Sequence, residues 1–129
     1  MFDRYMICEA TVRNVSNNGR VEGFEFGARL PYYRGLGLSM VEDVGVTVDG
    51  EKIPREKVRL SVAGRTYTLD ELETEYQAVW EMGAVATVTV LKEGGLTAGE
   101  HSLELTEQLR ISYMPFPITG RDTKAVRVS

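Results

Sequence analysis

The sequence is short of the residues from which most active sites are assembled. Its 129 residues include one histidine, one cysteine and one tryptophan. A metal centre draws several His, Cys or carboxylate ligands to a common spacing, and the single histidine, His101, begins no such cluster. The same shortage removes most Ser-His-Asp and Cys-His schemes, in which a base is itself oriented by a third group. His101 opens an expected strand and reads as a surface or corner histidine. Cys8 has no second cysteine to pair with, which permits a reducing compartment. It alternates with Ala10 and Val12, as a small core residue does, rather than standing as a nucleophile.

Long apolar runs are also missing. The first residues, Met1-Phe2-Asp3-Arg4-Tyr5-Met6-Ile7-Cys8, are interrupted by charge and do not form a signal peptide. No stretch approaches the roughly 18 apolar residues of a membrane-crossing helix. An excess of positive charge is absent: 15 Lys and Arg against 19 Asp and Glu give a net charge of −4. That balance argues against nucleic acid and against an anionic membrane surface as partners. A cytoplasmic location is the default expectation. Gly35-Leu36-Gly37 lacks the spacing, the lysine and the following helix of a phosphate-binding loop.

What is present is a globular composition, 43% apolar and 26% charged. The length fits one domain over residues 1–129. The dominant period is two, the signature of strands. Phe24, Phe26, Ala28 and Leu30 alternate with polar or small residues, as do Val44, Val46 and Val48, and Val58, Leu60 and Val62. Leu103, Leu105, Leu109 and Ile111 share a face that Glu107 breaks, so a bulge or a sheet edge is expected there. Val126 and Val128 suggest a short last strand. Asn17-Asn18-Gly19, Asp49-Gly50, Ala63-Gly64-Arg65 and Gly94-Gly95 punctuate these runs, and Asp-Gly is a favoured two-residue hairpin turn. The frequency of turns predicts an all-β fold: an antiparallel β-sandwich, immunoglobulin-like or jelly-roll-like, of about 8–9 strands. One short helical connector is expected where Thr68 and Glu71 have capping-box spacing and Leu69, Leu72 and Tyr76 have helical spacing. Asp70, Glu71, Glu73 and Glu75 read as a solvated acidic face, and Trp80 as a core residue of the sandwich.

Two loops depart from ordinary composition. They run Leu30-Pro31-Tyr32-Tyr33-Arg34-Gly35-Leu36-Gly37-Leu38-Ser39-Met40 and Ser112-Tyr113-Met114-Pro115-Phe116-Pro117-Ile118-Thr119-Gly120-Arg121. Together they hold three of the four prolines and four of the eleven aromatic residues. Loops lie at the surface and are usually polar; loops this apolar must be covered. Either they fold back over the open ends of the sandwich, or a partner protein or ligand covers them. Tyr, Phe, Met and Arg are enriched in interface cores, and proline lowers the ordering cost of binding.

With these loops the chain resembles, nearly end to end, the small β subunit of the bacterial C-glycoside deglycosidases. The stretches that carry the resemblance are Met1-Phe2-Asp3-Arg4-Tyr5-Met6-Ile7, Pro31-Tyr32-Tyr33-Arg34-Gly35-Leu36, Val48-Asp49-Gly50-Glu51-Lys52-Ile53-Pro54, Arg65-Thr66-Tyr67-Thr68-Leu69-Asp70 and Ile111-Ser112-Tyr113-Met114-Pro115-Phe116-Pro117. Pro-Tyr-Tyr-Arg-Gly and Tyr-Met-Pro-Phe-Pro are the most distinctive of them.

The resemblance implies a heteromeric lyase. A larger α subunit, similar to a sugar-phosphate isomerase barrel, supplies the base and a divalent metal, expected to be Mn2+. The substrate is a 3-oxo-C-glycoside made by a separate oxidoreductase, and the bond cleaved joins sugar C1 to the aromatic ring. The present chain then has no catalytic residue and binds no metal. Tyr32, Tyr33, Arg34, Tyr113, Met114 and Phe116 are expected to contact the α subunit, and Tyr33 and Arg34 to lie nearest the substrate. The alternative is a stand-alone β-sandwich that binds carbohydrate or forms homo-oligomers.

Overall fold

The computed structural model describes residues 3–32, 34–111 and 113–128. Nearly all regular structure is extended: β1 (Ile7–Asn17), β2 (Arg20–Ala28), β3 (Leu36–Gly37), β4 (Val41–Val48), β5 (Glu51–Lys52), β6 (Val58–Val62), β7 (Arg65–Thr68), β8 (Val79–Trp80), β9 (Ala86–Leu91), β10 (Gly99–Leu109) and β11 (Ile118–Val128). One four-residue helix, α1 (Leu69–Leu72), follows β7. The strands form a sheet in the order β1-β2-β9-β6-β7, a second in the order β11-β10-β4-β5, and a small pair β3-β8. Every pairing is antiparallel. The expected all-β sandwich is the fold. Three of the strands, β3, β5 and β8, are only two residues long, which is why alternation did not register them.

The alternating residues become the core. Phe26, Val88, Leu60 and Tyr67 stand opposite one another in one row across the first sheet. Phe24 and Phe26 stack with ring centroids 6.4 Å apart. Val44, Val46, Val48, Leu103, Leu105, Leu109, Val126 and Val128 line the second sheet, and all are buried. Each such side chain contributes about 1.5–3 kcal/mol by leaving water. The helix is fixed by the capping box foreseen from sequence. The Glu71 amide donates to the Thr68 hydroxyl at 3.2 Å, and the Thr68 amide donates to the Glu71 carboxylate at 2.8 Å. Those bonds hold the Glu71 carboxyl below its ordinary value. Leu69 and Leu72 turn inward from it, whereas Tyr76 lies beyond its end and is exposed. Among the described residues no helix is long and apolar enough to cross a membrane.

Three expectations change. The last strand is eleven residues long, because the Asp122 and Lys124 positions were hidden by their charge. Asp122 is buried and accepts the Ile7 amide at 2.9 Å, and Lys124 reaches both that carboxylate and the Arg4 carbonyl. An ion pair thus clips the start of β1 to β11. Cys8 is half-buried rather than in the core. Residues 9–12 bulge out of β1, with the Thr11 hydroxyl accepting the Gly27 amide at 2.6 Å, so the alternation from Cys8 to Val12 is broken. Glu107 sits at neither an edge nor a bulge. It lies on β10 between β11 and β4 and points inward, fully buried. The irregularity falls one residue later, between Gln108 and Leu109, where β4 carries the extra residue Glu42.

Candidate partner-docking site

The strand registers divide the sandwich into two ends. At one end lie the Asn18-Gly19 and Asp49-Gly50 turns and the 92–98 connection. At the other end the chain leaves β2 and β10 and enters β4, β9 and β11, so the segments 29–40, 73–85 and 110–117 gather there. Both unusual loops are therefore neighbours.

The first loop is rooted by the Arg29 amide, which donates to the Met6 carbonyl at 2.8 Å. Pro31 then folds over β11: a Cβ at residue 120 would lie 2.5 Å from the proline Cγ, so only glycine fits at Gly120. Tyr32 is buried, and its hydroxyl meets that of Tyr113 in the second loop. This hydrogen bond joins the two loops. Arg34 is exposed, and Tyr33 lies outside the described residues. In the second loop the Met114 amide donates to the Ile111 carbonyl at 2.9 Å, closing a turn. Met114 packs partly against the core. Tyr113 and Phe116 point outward, 65% and 62% exposed. Of the six residues singled out from sequence, Tyr32 is a support, Met114 is half-buried, and Arg34, Tyr113 and Phe116 offer surface.

Two contributors were not read from sequence. The first is Glu107, whose carboxyl group is buried at the root of both loops: Glu107 faces Gly120 across β10–β11, and Gly120 is covered by Pro31 and Met6. Its signal was the single acidic residue in an apolar face. The second is the segment 75–85. Leu36 pairs with Trp80 and Gly37 with Val79, and the Leu38 and Ser39 amides donate to the Ala78 and Glu75 carbonyls at 3.0 and 3.1 Å. Trp80 is fully buried, and its indole N–H donates to the Ala84 carbonyl at 3.0 Å. Glu75 is not merely solvated, as its acidic neighbours suggested. Its carboxylate accepts the Gln77 and Ala78 amides, both at 3.1 Å. The Ala78 amide, then that of Gln77, holds this carboxyl below its ordinary value.

This end offers apolar and aromatic surface on a braced backbone, the make-up of a binding face. Among the described residues no group of three or more His, Cys, Asp or Glu side chains is placed to hold a metal ion. His101 lies at the opposite end, where Nδ1 faces the Asp49 carboxylate at 2.6 Å and Nε2 the Thr97 carbonyl at 2.7 Å.

Comparison with known sequences adds a family. The profile described as "CGDB: C-glycoside deglycosidase beta subunit" matches residues 2–113. The chain is similar to a C-glycoside deglycosidase beta subunit of Eubacterium cellulosolvens, with 34% identity over 114 residues covering 88% of this chain and 78% of the relative. A protein of the same name from Arthrobacter globiformis is 38% identical over 72% of this chain and 71% of its own. A 3'-dehydrocarminate deglycosidase beta subunit of a Microbacterium species is 38% identical over 82% of each chain.

Proposed function

The chain belongs to the C-glycoside deglycosidase beta subunit family, and from that membership we propose that it is the accessory subunit of a complex that cleaves 3-oxo-C-glycosides. The observation that carries this reading is the match from residue 2 to residue 113, which spans the first loop whole and reaches Tyr113 in the second. The Microbacterium relative is named for a 3'-dehydro compound, and the same keto sugar is assigned to this chain's complex.

In the proposed reaction the C3 ketone acidifies the proton on sugar C2. A base removes that proton, and the electron pair forms an enolate. The enolate collapses to a C1–C2 double bond as the C1–aryl bond breaks, and the departing ring carbon takes up a proton. Atoms and charge balance without an oxidant. In this reading the base and a divalent cation, Mn2+, belong to the α subunit, where the cation would supply Lewis-acid chemistry.

The present chain docks through the loop end. Tyr113 and Phe116 insert as anchors, Met114 fills irregular space, and Tyr32 and Glu107 hold the loops in shape from beneath. Arg34 and Tyr33 are the residues assigned closest to the substrate. The docked sandwich excludes water from the reacting centre.

The test is to express the chain with and without the α-subunit protein encoded beside it. Size-exclusion chromatography is followed by an assay on a 3-oxo-C-glucoside with Mn2+ present. The expected result is a stable complex and aglycone release only in the co-expressed sample. A lone chain that ignores its neighbour and binds glycan would sink the proposal.

A further inference from the structure

We infer that the segment 76–85 is a third part of the surface that faces the α subunit, with Tyr76, Val79 and Met82 as contacts and the open space over Gly37 taken by a side chain of that partner. The inference rests on the proposed function and extends it from the two loops to the segment that pairs with the first of them.

Four observations carry it. Tyr76, Met82 and Val79 are 77%, 53% and 45% exposed, a concentration of large apolar side chains within seven residues. Apolar surface gathered in this way marks a contact with another molecule. The backbone beneath them is not slack. Trp80 is fully buried with its indole bonded to Ala84, and the Glu75 carboxylate grips the Gln77 and Ala78 amides. A stiff segment presents its side chains at low ordering cost.

The segment is also continuous with the two loops. The strip 36–40 is hydrogen-bonded on one side to 75–80 through Leu36–Trp80, Leu38–Ala78 and Ser39–Glu75. On its other side the Met40 carbonyl accepts the Arg110 amide at 2.8 Å, and the same loop reaches Tyr113 through Tyr32. A partner seated on Tyr113 and Phe116 is therefore brought against the strip and its neighbour. Finally, Gly37 is opposite Val79 in the β3–β8 pair, and a Cβ built on it meets no atom within 4 Å. Its backbone is extended, φ −60° and ψ 144°, a conformation open to any L residue. The space above Gly37 is thus open to a side chain from another molecule.

That last point supplies the test. Gly37→Trp fills that open space without straining the chain, and Tyr76→Ser with Met82→Ser removes the anchors. Each is titrated against the α subunit, beside a Tyr113→Ser/Phe116→Ser variant, and each free chain is unfolded in urea. The expected result is that Gly37→Trp and the Tyr76/Met82 variant each weaken the complex roughly tenfold or more, with unfolding midpoints unmoved.

Full affinity in both, beside a weakened Tyr113/Phe116 variant, overturns the inference and leaves the proposed function standing. Failure of the unmodified chain to bind the α subunit overturns both together. A concentration-dependent dimer of the chain alone, abolished by Gly37→Trp, assigns the surface to a second copy and also overturns the inference.

Discussion

The two ends of this sandwich differ in what their connections carry. At the tight end the chain reverses in two residues, with Asn18 and Gly19 at φ 53° and 77° and Asp49 and Gly50 at 51° and 82°. Such turns match the twist of the strands they join. The 92–98 connection there is tied down by side chains. Asn14 donates to the Leu96 carbonyl and accepts the Leu96 amide, at 2.9 and 2.8 Å, while Asp49 accepts the Ser102 amide at 2.8 Å. The groups are polar and their partners lie within the chain. At the loop end the Ala63-Gly64 turn between β6 and β7 is equally short, but the connections 29–40, 73–85 and 110–117 are long and carry exposed Tyr113, Phe116, Tyr76 and Met82. The β10–β11 pair is an adjacent antiparallel hairpin of the kind a short turn closes, so the connection 110–117 is longer than those two strands need. The proposed docking on the α subunit gives that extra length a use.

The first way to break this comparison is through stability. Trp80→Ala removes the largest fully buried side chain and strands the Ala84 carbonyl. It is expected to cost about 3–5 kcal/mol, read from urea unfolding, and to collapse the 75–85 segment with it. The second separates binding from folding. Tyr113→Ala with Phe116→Ala should lower affinity for the α subunit by roughly tenfold to a hundredfold, measured by titration. Phe116 is largely in water, so its removal should leave the free chain's midpoint little moved, whereas loss of the Tyr113 hydroxyl that meets buried Tyr32 should cost about 0.5–1.5 kcal/mol of stability. Asn14→Ala sharpens the contrast from the tight end. It breaks a two-way bond in a half-buried site and is expected to cost about 1–3 kcal/mol of stability, with no change in affinity for the α subunit.

The smallest effect concerns pH and also belongs to the tight end. The hydrogen bond to Asp49, then that to the Thr97 carbonyl, raises the His101 imidazole above its ordinary 6.5. The same bond to His101, then the Ser102 amide, lowers Asp49 below its ordinary 3.8. A raised folded value for His101 means that its contribution is complete below pH 6.5 and is lost as pH rises through the folded value. A lowered value for Asp49 means that its contribution is complete above pH 3.8 and is lost as pH falls through its folded value. The pair therefore stabilises most between those limits. His101→Gln should flatten the alkaline decline in unfolding midpoint, and binding of the α subunit should not follow it.

Much of this was legible in the sequence because alternation and turn chemistry are local. Val44 to Val48, Val58 to Val62 and the Thr68–Glu71 box all form as their spacing dictates. Cys8 was misplaced because a bulge changes the period without changing composition. Glu107 was read as an interruption because a carboxylate on a core face is costly, and only the fold shows that it sits under the Pro31 loop. The two loops announced themselves by composition. The 75–85 segment did not, because its exposed residues are spaced irregularly and its neighbours in space are forty residues distant. That Tyr32 faces inward while Tyr113 faces out was likewise invisible, since both occur in equally aromatic loops.

In the proposed complex the loop end, and not the tight end, meets the α subunit. Amide hydrogen exchange of the chain, alone and in the complex, tests it directly. The account predicts added protection in 31–40, 75–85 and 110–118 on complex formation, with 17–20, 48–51 and 92–99 unchanged. Protection that appears instead at the Asn18-Gly19 and Asp49-Gly50 turns, with the loop end still exchanging as in the free chain, would contradict it.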